Sequence, residues 1–103
     1  MNIKELTQRA MVIRGKYLEL EKRKYGREWT TGEIAQGFVG DVGDLMELVM
    51  TKEGIRDLPN VEEKLKHELA DCLWSLLVIA RQYNIDLEAA FVKTMGELSK
   101  RFK

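Results

Sequence analysis

Apolar residues recur along this chain at steps of three and four, and three breaks in that rhythm divide it into four predicted helices. The first runs from about Ile3 to Tyr25, with Leu6, Ala10, Ile13, Tyr17 and Leu20 on one side and Gly26 as its stop. Arg14, Lys16, Glu19, Glu21, Lys22, Arg23 and Lys24 fill the intervening positions and are expected to form a solvated face. Thr30 and Glu33 fit a capping box, with Thr30 at the N-cap, and open a second helix that runs to about Met50. Its apolar arc is Ile34, Phe38, Leu45, Leu48 and Val49. Lys52–Pro59 reads as a linker, punctuated by Gly54 and Pro59. Asn60 and Glu63 suggest another capped start, for a third helix ending near Tyr83 and Asn84. Asp86 is a suitable N-cap for a fourth helix, Leu87 to about Arg101, whose apolar side is Leu87, Ala90, Phe91, Met95 and Leu98.

The greasiest stretch is His67–Ala80. Leu65, Cys72, Leu76, Ile79 and Tyr83 share one side of it, and Leu69, Leu73, Leu77 and Ala80 widen that side until burial is expected nearly all round. Glu68 and Asp71 fall in or beside this arc, three residues apart and therefore neighbours on the helix surface. Asp41 and Asp44 repeat the arrangement inside the arc of the second helix. Gly37, Gly40 and Gly43 run beside them. Each mid-helix glycine costs about 1 kcal/mol relative to alanine, so three imply close approach by another helix or a ligand. No strand precedes them, so they are not a dinucleotide fingerprint.

Composition narrows the field. The 103 residues suffice for one domain, taken as 1–103, with one core. A hydrophobic fraction of 45% argues against disorder. Seventeen basic residues balance seventeen acidic ones, so no global field favours polymeric nucleic acid. The single cysteine, Cys72, rules out an internal disulfide and reads as a small core residue. No apolar run approaches the roughly 20 residues of a membrane span, and the N-terminus lacks a signal peptide's apolar region. A soluble, cytoplasmic, all-α protein is expected.

Four carboxylates on two consecutive helices then become the chemistry to explain. A short linker makes those helices antiparallel neighbours by default. If their arcs pack together, Asp41, Asp44, Glu68 and Asp71 converge, and such a cluster cannot fully ionise without compensation. Oxygen-only ligands suit Mg2+ or Mn2+, and Mg2+ commonly bridges to substrate phosphates. Metal-assisted phosphate chemistry is the function this predicts. A ferritin-like di-iron bundle fits poorly. It needs two Glu-x-x-His motifs, whereas the one histidine here, His67, follows Lys64 at that spacing.

FVGDVGDLMEL followed by HELADCLWSLLVIARQYNIDLEAAF resembles the MazG-like all-α NTP pyrophosphatases. Their signature is two acids three apart, a variable spacer, then Glu-x-x-Asp. The resemblance covers about Trp29 to Phe102 and, more loosely, the first helix. It implies a four-helix bundle completed by homo-oligomerisation, as a dimer or tetramer. It also implies Mg2+-dependent cleavage of an NTP or dNTP to the monophosphate and pyrophosphate, as in nucleotide-pool house-cleaning. Asp41, Asp44, Glu68 and Asp71 would be the metal ligands, and Asp41 or Asp44 would take the proton of the attacking water. Trp29 and Trp74 are candidates to line a base pocket, and Lys93 and Arg101 to contact phosphates. His67 is expected to point away from the acids, and Glu47 to lie on the surface.

Two departures from the family pattern stand out. Aspartate replaces the usual glutamate at positions 41 and 44, one methylene shorter. Glu97 sits between Lys93 and Arg101, where the family often has asparagine. The alternative reading is therefore a catalytically weakened helical oligomer that binds nucleotide or a protein partner without turnover.

Overall fold

The structure, a computed structural model, describes residues 1–54 and 58–102. Residues 55–57, within the expected linker, lie outside the described residues. Four α-helices are present, α1 (Ile3–Tyr25), α2 (Thr31–Lys52), α3 (Val61–Gln82) and α4 (Leu87–Ser99), followed by a 3-10 turn at Lys100–Phe102. The described residues contain no strand, so the chain is all-α as expected.

Local chemistry sets most of the boundaries. Asn2 and Glu5 form a capping box at α1, and Gly26 closes that helix in the left-handed conformation at φ 75°. Thr30 and Glu33 form the expected box at α2, and the Asp86 carboxylate accepts from the Ala89 N–H at α4. The third expected cap fails. Asn60 adopts φ 57°, ψ 32°, and its side chain makes no capping hydrogen bond. An N-cap normally sits in the extended region so that its side chain can reach back over the first turn. Asparagine instead tolerates the left-handed turn that follows Pro59.

The central helix α3 packs on both α1 and α2. Thr31 bonds to Gln82, while Lys52 pairs with Glu62. The start of α2 therefore meets the end of α3 and the reverse, so the two are antiparallel. Ala10, Ile34, Leu77 and Val78 form the core, one or two residues from each of these three helices. Leu6, Trp74, Ile79 and Leu87 pack around it.

This core is small. Leu69, Leu73 and Leu76, expected inside, are 41–52% exposed, because α1 and α2 cover only part of the α3 circumference. No residue of α4 is buried, and Phe91, Val92, Met95 and Leu98 are exposed. The radius of gyration is 16.5 Å, against about 13 Å for a compact domain of this length. Among the described residues, no helix is long and apolar enough to cross a membrane.

Candidate functional site

The antiparallel pairing of α2 and α3 brings their acids to one place. One carboxylate oxygen from each of Asp41, Asp44 and Glu68 lies within 4.8 Å of the other two. The aspartates are short, yet they reach. Glu68 responds to that crowding. Partial burial, reinforced by the negative charges of Asp41, Asp44 and Asp71 and by a hydrogen bond with Asp41, raises its pKa above the ordinary 4.5. The nearby Cys72 thiol is raised too, first by burial and then by Asp41, Glu68 and Asp71, so it stays protonated and inert.

Asp71 stands apart from this triad. Its Oδ2 is 3.1 Å from His67 Nε2, one turn earlier on the same helix. His67 therefore turns toward the acids, contrary to expectation. Residues four apart share a helix face, which the sequence already contained.

A Cβ added at Gly37, Gly40 or Gly43 would meet nothing within 4 Å. Among the described residues no helix of the chain itself makes the close approach expected of a helix or a ligand, and Gly37 lines a cavity.

Two cavities flank the acids. The first, about 520 Å³, lies between α1, α2 and α3, and Tyr17, Trp29, Ile34 and Trp74 give it an aromatic and aliphatic wall. Asp41 and Asp71 stand on its border. The second, about 470 Å³, is bordered by Asp44 and Glu68, with Asn60, Lys64 and His67 among its other walls. The acid cluster thus lies between the two cavities. Trp29 is partly exposed at the first cavity. Trp74 donates from Nε1 to the Ala10 carbonyl at 3.1 Å and meets Tyr17 edge to face at 5.9 Å, which fixes its indole. Lys93 and Arg101 are exposed on α4 and the turn beyond it, and border neither cavity.

The floor of the first cavity holds what the sequence reading missed. Arg14 and Glu21, expected on a solvated face, are 1% and 3% exposed. Arg14 Nη1 and Nη2 donate to the two Glu21 oxygens at 2.6 and 3.0 Å, a bidentate pair. Arg14 Nη2 also donates to the Trp29 carbonyl at 3.2 Å, and the Trp29 N–H donates to Glu21 Oε1 at 2.8 Å. The pair therefore pins the backbone that presents Trp29. Glu21 is held below its usual pKa, chiefly by the Arg14 hydrogen bond, with burial opposing. A signal for this burial existed: Ala10, Arg14, Tyr17 and Glu21 follow one another at steps of four, three and four. Outside the cavity floor, Arg27 grips Glu33 through two bonds of 2.7 and 2.9 Å, which pulls Glu33 down to about 2.

Comparison with protein families gives a match to the MazG nucleotide pyrophosphohydrolase domain over residues 30–103. That span includes α2, α3, α4 and all four acids, and the chain belongs to this family. Searches of the curated proteins and of the solved structures gave no significant match. Membership carries a nucleotide pyrophosphohydrolase type of activity in general, in a family that is generally divalent-metal dependent.

Proposed function

We propose that the protein hydrolyses a nucleoside triphosphate, NTP or dNTP, to the monophosphate and pyrophosphate, as a cytoplasmic house-cleaning enzyme. The observation that carries this reading is the convergence of Asp41, Asp44 and Glu68 within 4.8 Å, in a chain of this family. All-oxygen donors fit Mg2+, with Mn2+ as a substitute, and the raised Glu68 pKa marks a cluster short of positive charge. Asp71, one turn along α3, completes the set of four. When bound, the cation neutralises the triphosphate and polarises its phosphorus–oxygen bonds.

The chain's own groups supply the rest. The nucleoside end lies in the aromatic cavity, against Trp29 and Trp74. The triphosphate crosses the acids toward the second cavity, whose wall includes Lys64 and His67. A carboxylate oxygen of Asp41 or Asp44 takes the proton of a water attacking in line, and the bond between the α- and β-phosphoryl groups breaks. Lys93 and Arg101 border neither cavity of the single chain, so their phosphate contacts require an assembly. The bare α4 face and the exposed leucines of α3 support a homodimer or homotetramer, which would cover them.

Ion-exchange separation of products after incubation with NTPs, dNTPs and Mg2+ tests the reading. Equal amounts of monophosphate and pyrophosphate are expected, and their loss with chelator. A folded protein that turns over no triphosphate would contradict it and favour the non-catalytic binding alternative.

A further inference from the structure

A triphosphate brings several negative charges to a place where Asp41, Asp44, Glu68 and Asp71 already gather, so basic side chains must meet it as well as the cation. Lys93 and Arg101 border neither cavity at the acids. A third cavity, about 510 Å³ between α1 and α3, carries Arg9 and Lys16 but none of the four acids. Three basic residues remain on the walls of the first two cavities. Arg14, in the first, is committed to Glu21 and the Trp29 carbonyl. His67, in the second, has its Nε2 on Asp71. Lys64, also in the second, is exposed and forms no ion pair among the described residues. Glu68 would be its ordinary partner four residues along α3, yet Glu68 hydrogen-bonds with Asp41 instead. The ammonium of Lys64 therefore stands on the acid face of α3, one turn from the cluster, with no charge of its own to answer.

We propose that Lys64 binds the pyrophosphate end of the nucleotide, its β- and γ-phosphoryl groups, in the second cavity. The inference rests on the nucleotide reading above and deepens it by naming a phosphate contact within a single chain. The aromatic wall of the first cavity takes the nucleoside, so the far end of the triphosphate lies across the acids, on the side where Lys64 stands. Residues four apart on a helix have Cβ atoms about 5–6 Å apart, and a four-carbon stem carries the ammonium across that distance. Lysine meets phosphate as a point charge, so no fixed geometry is demanded of an exposed side chain. Glu47 and Glu63 share the wall, and Lys66 meets Glu63 at 3.2 Å. Against those carboxylates, the unpaired ammonium is what admits an anion to this cavity. The contact is the same whichever phosphorus the water attacks, because pyrophosphate forms either way.

Calorimetric titration of inorganic pyrophosphate with Mg2+ into the full chain tests the contact without turnover. The wild type should bind, and Lys64→Met should weaken binding at least about tenfold. Lys64→Arg keeps a cation and should stay within about threefold of the wild type. In turnover, Lys64→Met should raise KM by a similar factor and change kcat less, the mark of a lost binding contact. Lys64 is exposed, so the unfolding midpoint should not move. Mn2+ affinity, followed by its paramagnetic signal, should not weaken either. Unchanged pyrophosphate affinity in Lys64→Met, or a loss accompanied by weaker Mn2+ binding, overturns the assignment to Lys64. With wild-type turnover intact, either result leaves the hydrolytic reading standing. Failure of the wild type to bind pyrophosphate overturns the contact as well. Absence of turnover with every triphosphate overturns the reading beneath it.

Discussion

Glu21 and the acid cluster both adjoin the aromatic cavity, the cluster through Asp41 and Asp71, and their surroundings treat carboxylates in opposite ways. Glu21 on α1 is nearly sealed from water, yet its pKa is lowered, because Arg14 meets it with two hydrogen bonds. Glu68 on α3 is less buried, yet its pKa is raised, first by that burial and then by the negative charges of Asp41, Asp44 and Asp71. Burial alone would have raised both. At Glu21 a cationic partner reverses the sign, and at Glu68 anionic neighbours reinforce it. The first set is electrically complete without any ligand and acts as structure. The second is short of positive charge, which a divalent cation supplies.

Removing one partner should break the first set most severely. Arg14→Met leaves Glu21 buried and unpaired, and should cost about 3–5 kcal/mol in denaturant unfolding. Replacing both, as Arg14→Met with Glu21→Leu, should recover most of that loss, since a buried pair is often no better than its apolar substitutes. The matching change in the acid cluster should do the reverse. Glu68→Gln should leave the unfolding midpoint unchanged or raised, because it removes a repelled charge, while kcat/KM falls at least about a hundredfold, more than loss of an outer partner of a metal ligand usually costs.

Metal titration sharpens the contrast. Mg2+ at about a hundred times its dissociation constant should stabilise the wild-type protein by about 2.7 kcal/mol. Asp44→Asn should abolish that gain in a thermal melt, and Arg14→Lys should retain it.

The smallest expected effect is in pH. Glu21, with its folded pKa lowered from 4.5, contributes stability that is present above pH 4.5 and fades as pH falls through its folded value. Glu68, with its folded pKa raised from 4.5, favours the folded state below that value and loses this contribution as pH rises through its folded value. Unfolding curves of the metal-free protein above pH 4.5 should show the second slope in the wild type and not in Glu68→Gln.

The helices were readable because their ends carry local chemistry, as at Thr30–Glu33 and Asp86. The acid pairs were readable for a related reason: a spacing of three fixes a shared face whatever the tertiary structure. Asn60 shows the limit of that logic, since the same residue type serves either a cap or a left-handed turn. Arg14 and Glu21 were hidden by charged neighbours, although their spacing placed them on the buried side of α1 beside Ala10. The Gly37, Gly40 and Gly43 stripe signalled a helix or a ligand without telling them apart, because open space at a cavity such as that beside Gly37 and close packing against a helix favour the same residue. The exposure of Leu69, Leu73 and Leu76 depends on which neighbours cover α3, which periodicity within one helix does not encode.

Electron paramagnetic resonance of Mn2+ titrated into the metal-free protein addresses the acid cluster directly. The free-ion signal should be suppressed stoichiometrically by the wild-type chain, restored by competing Mg2+, and little affected by folded Glu68→Gln. A full-strength free Mn2+ signal in the presence of folded wild-type protein, or equal suppression by the Gln variant, would contradict the assignment of Asp41, Asp44 and Glu68 as a metal site.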